Sequence, residues 1–253
     1  MIISEVFIHN NLKIDSASIC DKGKRNINED TADIGKTGKI FYAFVADGLG
    51  GHGGGEIASS VCAKTVVECL GKPVRYCRSK IREIFRKADK NIIAKQDDKV
   101  KMKTTLALVM LSYGRVYASH IGDTRIYIIK DGCFSHMSKD HTEAFERAIL
   151  SGGTLDDIRN DPERHILSAA LGSGKPQSFE LYREKVSENM SILICSDGFW
   201  EYVNEDDMLK TLESSESSSE WLCKMMKIHN EKASRFCDNY SAICLRTERH
   251  KGG

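Results

Sequence analysis

Residues 41–70 read FYAFVADGLGGHGGGEIASSVCAKTVVECL, and the order of residue types here indicates a strand, a sharp turn and a helix. The apolar run 41–46 is typical of a buried strand, and Asp47 ends it. Six of the eight residues in the next segment, GLGGHGGG, are glycine, which tolerates the backbone angles of a tight turn. Residues 56–70 then place apolar side chains at helical spacing. We expect this turn to hold Asp47 and the Gly48 carbonyl at an exposed strand tip.

The remaining segments follow an order that differs from the regular strand–helix alternation of a parallel sheet. Apolar runs predict strands at 40–46, 105–111, 115–120, 125–130, 190–195 and 240–246. Apolar stripes predict helices at 56–70, at 80–94 and from Trp221 to His229. Strands come first, then two helices, a run of strands joined by tight turns, a short helical insert, and a strand, a helix and a strand. This order predicts an α+β fold whose sheet is mostly antiparallel.

Composition excludes several classes of protein. The 253 residues include 37 Lys+Arg and 36 Asp+Glu, a net charge of +1, which argues against nucleic-acid binding through bulk electrostatics. We expect no membrane segment, because no window approaches the ~18 consecutive apolar residues of a membrane span, and no signal peptide. The nine cysteines form no C-x-x-C pair, so a zinc site is not expected, and their odd number favours a reducing cytoplasm.

A dinucleotide site is one interpretation of the glycine-rich turn, because Gly48, Gly50 and Gly53 satisfy G-x-G-x-x-G. Asp47 argues against it, since a carboxylate beside a bound pyrophosphate is unfavourable. That fold also needs an acid on a second strand about 20 residues later, whereas Glu68 lies within the helical stripe. The G-x-x-x-x-G-K-[ST] pattern of a P-loop is missing from the sequence.

Carboxylates recur at the ends of predicted elements. Asp47 and Asp197 each end a strand and precede a glycine, and Asp238 precedes the last strand. Glu29 lies ahead of the first central strand, and Asp123 lies in a turn. Any one of them alone is more often a turn residue or a helix cap. If they converge, divalent cations would offset their repulsion, and an all-oxygen ligand set suits Mg²⁺ or Mn²⁺.

Eight segments, in order along the chain, carry a resemblance to one family. They are DKGKRNINED (21–30), VADGLGGHGGGEIAS (45–59), KTTLALVML (103–111), SHIGDTRIYI (119–128), MSKDHT (137–142), ILSAALGSG (166–174), ICSDGFWEYV (194–203) and CDNYSAICL (237–245). The sequence resembles the metal-dependent type-2C protein serine/threonine phosphatases, the PPM family, and especially their compact bacterial members.

This resemblance implies a four-layer α/β/β/α sandwich. Two mostly antiparallel sheets would carry helices on both outer faces and a bimetal cleft at one end. The whole of 1–253 would be a single phosphatase catalytic domain, with a flap insert at about 143–168.

The resemblance also implies the site residues. Asp47 would bridge two metal ions, Mn²⁺ or Mg²⁺, and Asp197 and Asp238 would complete the shell of one ion. Glu29, through water in some members, and the Gly48 carbonyl would bind the other ion.

Three further residues follow from the same motifs. Asp123 matches the acid associated with a weaker third metal ion, and Arg25 matches the arginine that grips the substrate phosphate. Asn239 would support the site. The implied reaction is hydrolysis of Ser/Thr phosphate by in-line attack of a metal-bound hydroxide, with Asp47 and Arg25 as catalytic residues.

The implied partners are phosphorylated proteins, including a Ser/Thr protein kinase that the enzyme would oppose. We expect no nucleic-acid or membrane partner, a monomer and a cytoplasmic location. An inactive binding module on the same fold is the alternative, although every expected ligand position is filled. The sequence departs from the motifs at Lys103, where the family has glycine, and at Leu49. With Leu49 at its position, the general acid that protonates the leaving group stays unidentified. His52 and a metal-bound water are the two alternatives for that acid.

Overall fold

The computed structural model describes residues 1–9, 12–50, 54–72, 77–97, 100–174, 179–233 and 237–250. The strands are β1 (Ile3–His9), β2 (Leu12–Asp21), β3 (Asp30–Thr37), β4 (Ile40–Leu49), β5 (Lys103–Thr104), β6 (Leu106–Ser112), β7 (Arg115–Ile121), β8 (Arg125–Lys130), β9 (Cys133–Met137), β10 (Glu180–Lys185), β11 (Ser191–Cys195) and β12 (Tyr240–Arg249). The helices are α1 (Gly55–Leu70), α2 (Cys77–Ile93), α3 (Glu143–Ser151), α4 (Leu155–Asn160), α5 (Asp197–Trp200), α6 (Glu205–Glu213) and α7 (Ser218–Lys232).

Two antiparallel sheets pack face to face. The first sheet has the order β1-β2-β12-β11-β8-β9, and the second has the order β10-β7-β6-β4-β3, with β5 beside β4. One apolar cluster lies between the sheets, a second lies between the second sheet and helices α1 and α2, and a third lies between the first sheet and helices α5 to α7. The predicted four-layer α/β/β/α sandwich is therefore confirmed.

Strand β4 shows why its sequence is apolar throughout. Side chains alternate across a strand, so Phe41 and Val45 pack into the core between the sheets. Phe44 and Ala46 point the other way and pack under α1 and α2. Complete burial of such side chains contributes roughly 1.5–3 kcal/mol each for the larger ones. Because both faces of β4 are covered, its end is fixed where Asp47 begins the glycine-rich turn.

The predicted helices and central strands are present, with small differences at their ends. Helix α2 begins at Cys77, three residues before the predicted start. The turn between β6 and β7 has positive φ angles of 51° at Tyr113 and 67° at Gly114, the geometry of a tight hairpin. Strands β1, β2, β3, β9 and β10 did not emerge from the apolar runs, because most of their residues are exposed or half-buried or alternate with buried ones.

The predicted flap range contains helices α3 and α4. Thr142 caps α3, and Thr154 caps α4 through a capping box with Asp157. Arg159 at the end of α4 donates to the carbonyl oxygen of Trp200 at 3.0 Å and to Glu205 at 2.8 Å. These contacts join α4 to the first sheet's helical layer. In the described part of the chain, no helix combines the length and apolar character that crossing a membrane requires.

Candidate metal centre

The backbone of Asp47 is held by two threonines that precede strand β6. Its N–H donates to Thr105 Oγ1 at 2.9 Å. Its carbonyl oxygen accepts from Thr104 Oγ1 and from the Thr105 N–H, each at 2.8 Å. With both backbone groups engaged, the Asp47 side chain is left to face the cleft. The threonines belong to the KTTLALVML segment, but sequence reasoning assigned them no function.

Gly48 occupies a position where no side chain fits. A Cβ atom there would lie 2.1 Å from the carbonyl oxygen of Gly55 and 2.6 Å from that of Glu29. The close approach brings the end of β4 against the first turn of α1. Helix α1 leads to α2 rather than to a second strand, so the glycine-rich turn is not part of a dinucleotide-binding βαβ unit. Gly53 and His52 lie outside the described residues.

Asp197, the first residue of α5, and Asp238 lie at the ends of neighbouring strands of the first sheet. Asp197 follows β11, and Asp238 precedes β12, the strand that pairs with β11. The start of α5 packs closely against the segment before β12, since a Cβ on Gly198 would lie 2.1 Å from the carbonyl oxygen of Asn239. His229 of α7 donates from Nε2 to the Gly198 carbonyl at 2.9 Å. This hydrogen bond stabilises the start of α5, where Asp197 lies. Sequence reasoning placed His229 only in the core.

Carboxyl groups from the two sheets lie close together where the sheets meet. Asp47 of the second sheet and Asp197 of the first lie close together, and both line the same cleft. Burial raises the pKa of Asp47 well above its ordinary value, and the charges of Asp30 and Asp197 raise it further. Burial also raises the pKa of Asp197, helped by Asp238. Ionisation of these carboxyl groups therefore destabilises the folded chain, as expected at a site that binds cations.

Asp123 lies deeper than the other candidate ligands. It is 5% exposed, and burial together with the charge of Asp197 raises its pKa well above the ordinary value. The indole N–H of Trp200 donates to its carbonyl oxygen at 2.9 Å. The buried guanidinium of Arg125 lies 3.7 Å from the centre of the Trp200 ring and binds both carboxylate oxygens of Asp140. This network, which sequence reasoning missed, fixes the turn that carries Asp123.

Glu29 lies beside Gly48, whose N–H donates to the Glu29 carbonyl oxygen at 3.1 Å. Its carboxylate accepts a hydrogen bond from the backbone N–H of Gly55, at the first turn of α1. Burial raises the pKa of Glu29, and the charge of Glu56 adds to this effect. The helix N-terminus favours the ionised carboxylate. Glu29 therefore lies at the rim of the site and also caps α1.

Asn239 holds the loop that carries Arg25 and Glu29. Its Oδ1 accepts from the Glu29 N–H at 2.9 Å, and its Nδ2 donates to the carbonyl oxygens of Lys22 and Ile27, each at 2.9 Å. Arg25 is 59% exposed and donates from Nη2 to Asp238 Oδ2 at 2.7 Å, an ion pair that raises the pKa of Arg25. The predicted phosphate-binding arginine thus lies beside a predicted metal ligand.

These groups surround one cleft of about 850 Å³, whose lining residues include Arg25, Glu29, Asp47, Gly48, Asp197, Asp238 and Asn239. Across the described ranges, no three His, Cys, Asp or Glu side chains are close enough to hold one ion as they stand. Asp238 is paired with Arg25 at 2.7 Å, so a cation bound by Asp238 would compete with this ion pair. The donors themselves fit Mg²⁺ or Mn²⁺, because they are all oxygen atoms and need positive charge.

Comparisons with solved structures agree with this fold. A crystal structure of the Mycobacterium tuberculosis serine/threonine phosphatase PstP has a TM-score of 0.82 and 24% sequence identity, over 93% of this chain and 99% of that one. A structure of the PstP catalytic domain in complex with two manganese ions has a TM-score of 0.80 and 24% identity, over 94% and 99% of the two chains.

Similarity in sequence points the same way. The serine/threonine phosphatase stp of Listeria innocua is 24% identical over 210 residues, which cover 79% of this chain and 83% of that protein. PstP of M. tuberculosis is 28% identical over 178 residues, which are 68% of this chain but 34% of that longer protein. The family model described as Protein phosphatase 2C matches residues 22–237. Because this match spans most of the sequence, the chain belongs to the protein phosphatase 2C family.

Proposed function

We propose that this chain hydrolyses phosphate esters of serine and threonine in proteins with the help of Mn²⁺ or Mg²⁺. The observation that carries the proposal is the convergence of carboxylates from two sheets on a cleft that also holds Arg25. The family membership and the phosphatases among its relatives support the same activity.

The ligands would divide between the two sheets. Asp47 would bridge two ions, Asp197 and Asp238 would bind one of them, and Glu29 and the Gly48 carbonyl would bind the other. Asp123 would serve a third, weaker site. Bound in pairs, such cations lower the pKa of water and neutralise charge on a phosphate during in-line displacement. The chain supplies fixed backbone positions for these ligands, because Asp47 and Gly48 are locked by the contacts described above.

Arg25 would bind the substrate phosphate. Its planar guanidinium offers paired donors that match two phosphate oxygens, whereas a lysine offers a point charge. Its side chain lies at the exposed edge of the cleft, within reach of a phosphorylated side chain that enters from solvent. Asn239 would act as a positioning residue, since it fixes the loop on which Arg25 and Glu29 lie.

We also propose the setting in which the enzyme works. The chain would act as one catalytic domain and as a monomer on phosphorylated proteins, in opposition to a Ser/Thr protein kinase. All nine cysteines are free, which is typical of a reducing compartment such as the cytoplasm.

The test is hydrolysis of p-nitrophenyl phosphate and of a phosphoserine peptide by the purified chain. We expect activity that requires Mn²⁺ or Mg²⁺, stops on addition of EDTA, and is lost in Asp47→Asn and Asp197→Asn. Asp206→Asn, at an exposed position on α6, is the matched control and should remain active. Full activity in both cleft variants would refute the ligand assignment, and a folded but inactive wild type would favour a binding module.

A further inference from the structure

We propose that Lys101 and Lys103, which we call the lysine rim, form an anion subsite beside the candidate phosphate site. This subsite would select substrates in which the phosphorylated residue is followed or preceded, about two positions away, by a second anionic side chain. The inference rests on the proposed phosphatase function and adds a substrate preference to it.

The two lysines face the same side of the segment that leads into β5. Lys101 and Lys103 are exposed, whereas Met102 between them is 2% exposed and Thr104 is fully buried. Successive side chains of an extended backbone point in opposite directions, so this alternation places both ammonium groups on one face. Both lysines line the cleft that contains Arg25 and Asp47. The rim is therefore part of the cleft wall.

The backbone under the rim is anchored on both sides. Gln96 Nε2 donates to the carbonyl oxygens of Met102 and Gly172, each at 2.7 Å. Thr104 and Leu171 exchange two backbone hydrogen bonds, at 3.1 and 2.9 Å. Thr104 Oγ1 also donates to the carbonyl oxygen of Asp47. The position of the rim is thus fixed relative to the candidate metal site, which is what a specificity subsite requires.

Strand register gives the spacing. Lys103 lies opposite Leu49, two residues beyond Asp47 on β4. Two strand residues span roughly 7 Å, which is also the span of two residues in an extended peptide. An extended substrate that runs alongside β4 with its phosphate at Asp47 would therefore present the side chain two positions away to the lysine rim.

Charge pairing leaves these lysines available. Arg25 is paired with Asp238, and Arg164, which also lines the cleft, is paired with Glu201 at 2.6 Å. The ion pairs found among the described residues include neither Lys101 nor Lys103. Two cations with no ion-pair partner in the described part of the chain, at the edge of a carboxylate-lined cleft, would attract an anionic side chain and keep it away from the acidic floor. Either a carboxylate or a second phosphate has the required chemistry.

The test compares phosphoserine peptides of one sequence. In separate peptides, the position two residues before or after the phosphoserine carries Asp, a second phosphoserine, Asn or Lys. For the wild type we expect kcat/KM to be roughly five- to tenfold higher with an anionic flank than with Asn, mostly through KM, and the difference to shrink in high salt. A preference for both anions identifies a general anion subsite, and a preference for phosphoserine alone identifies doubly phosphorylated segments.

Variants then locate the preference. In Lys101→Gln/Lys103→Gln we expect it to fall below about twofold, and in Lys101→Glu/Lys103→Glu we expect Lys-flanked peptides to become the better substrates. Lys90→Gln/Lys210→Gln removes the same charge from exposed positions on α2 and α6 and should retain the wild-type preference.

The outcomes separate the two proposals. Equal hydrolysis of all peptides by the wild type, or an unchanged preference in the Gln variant, overturns the subsite alone. Failure of the wild type to hydrolyse any peptide overturns the phosphatase function and the subsite with it. Melting curves of the variants confirm that each is folded before its kinetics are compared.

Discussion

The guanidinium of Arg25 donates to the carboxylate of Asp238 at 2.7 Å, which joins the candidate phosphate-binding group to a candidate metal ligand. The two residues are 213 positions apart in the chain. Their opposite charges stabilise the contact, and the same charges would bind phosphate at Arg25 and a cation at Asp238. Binding of a cation by Asp238 would compete with the ion pair and release Arg25 for substrate.

This competition predicts opposite effects of one substitution. Arg25→Ala should lower kcat/KM by about 10–100-fold through loss of a charge-assisted contact. The same change should tighten Mn²⁺ binding severalfold, because Asp238 loses its competing partner. Isothermal titration with Mn²⁺ and steady-state kinetics measure the two effects. Arg25→Lys keeps the charge but loses the paired donors, so we expect a smaller fall in kcat/KM and a smaller gain in Mn²⁺ affinity. Weaker Mn²⁺ binding by Arg25→Ala than by the wild type would contradict the competition.

Asp47→Asn should abolish hydrolysis and yet stabilise the metal-free chain. The folded pKa of Asp47 is raised, so the folded state binds more protons than the unfolded state at pH values above the unfolded pKa. The stability associated with Asp47 is therefore present at low pH and is lost as pH rises through the folded pKa. At pH 8 in EDTA we expect the variant to gain about 1 kcal/mol, measured by chemical denaturation. No gain over Asp206→Asn would show that repulsion at the site is negligible.

Gly198→Ala should damage the site through the backbone. The new Cβ would lie 2.1 Å from the carbonyl oxygen of Asn239 and would force the loops of Asp197 and Asp238 apart. We expect a loss of at least about 2 kcal/mol in stability and a Mn²⁺ affinity reduced tenfold or more. Gly132→Ala is the control, since its φ of 74° is strained but nothing lies within 4 Å of the Cβ. That change should cost about 1 kcal/mol and leave Mn²⁺ binding intact.

His141 should make the fold sensitive to acid. Its ring stacks on His120 with 4.8 Å between the centroids, and burial together with His120 lowers its pKa from 6.5 to about 4. Because the unfolded chain binds this proton first, stability is present above about pH 6.5 and is lost as pH falls towards 4. His141→Asn should remove about 1–2 kcal/mol of the stability difference between pH 7 and pH 5. Denaturation at both pH values tests this, and His165→Asn, at an exposed position, should leave the difference unchanged.

Sequence reasoning recovered the features that are encoded locally. Strands β4, β6 and β11 are buried on both faces, so their continuous apolar runs stand out. The edge strand β1 was missed because it is mostly exposed and lacks that signal. The positions of Asp47 and Asp197 at strand ends were also predicted, since each follows an apolar run and precedes a glycine.

The contacts that organise the site could not be predicted from the sequence. The ion pair between Arg25 and Asp238 and the hydrogen bond from His229 to Gly198 join residues that only the fold brings together. Glu29 carries a second contact, as a cap of α1, that depends on how closely β4 approaches the helix. Such pairings depend on three-dimensional packing, and neither periodicity nor motif spacing records them.

The candidate ligands lie on both sides of the seam between the sheets, with Asp47 on one and Asp197 and Asp238 on the other. A cation held between them would tie the two halves of the sandwich together, and its removal would leave repulsion at their open end. We expect a cell starved of manganese and magnesium to degrade this protein faster, since a larger unfolded fraction is exposed to proteases. Pulse-chase labelling would measure this, and an unchanged half-life would argue against it. Recovery of dephosphorylation after such starvation would then wait for new protein synthesis rather than for the return of the metal.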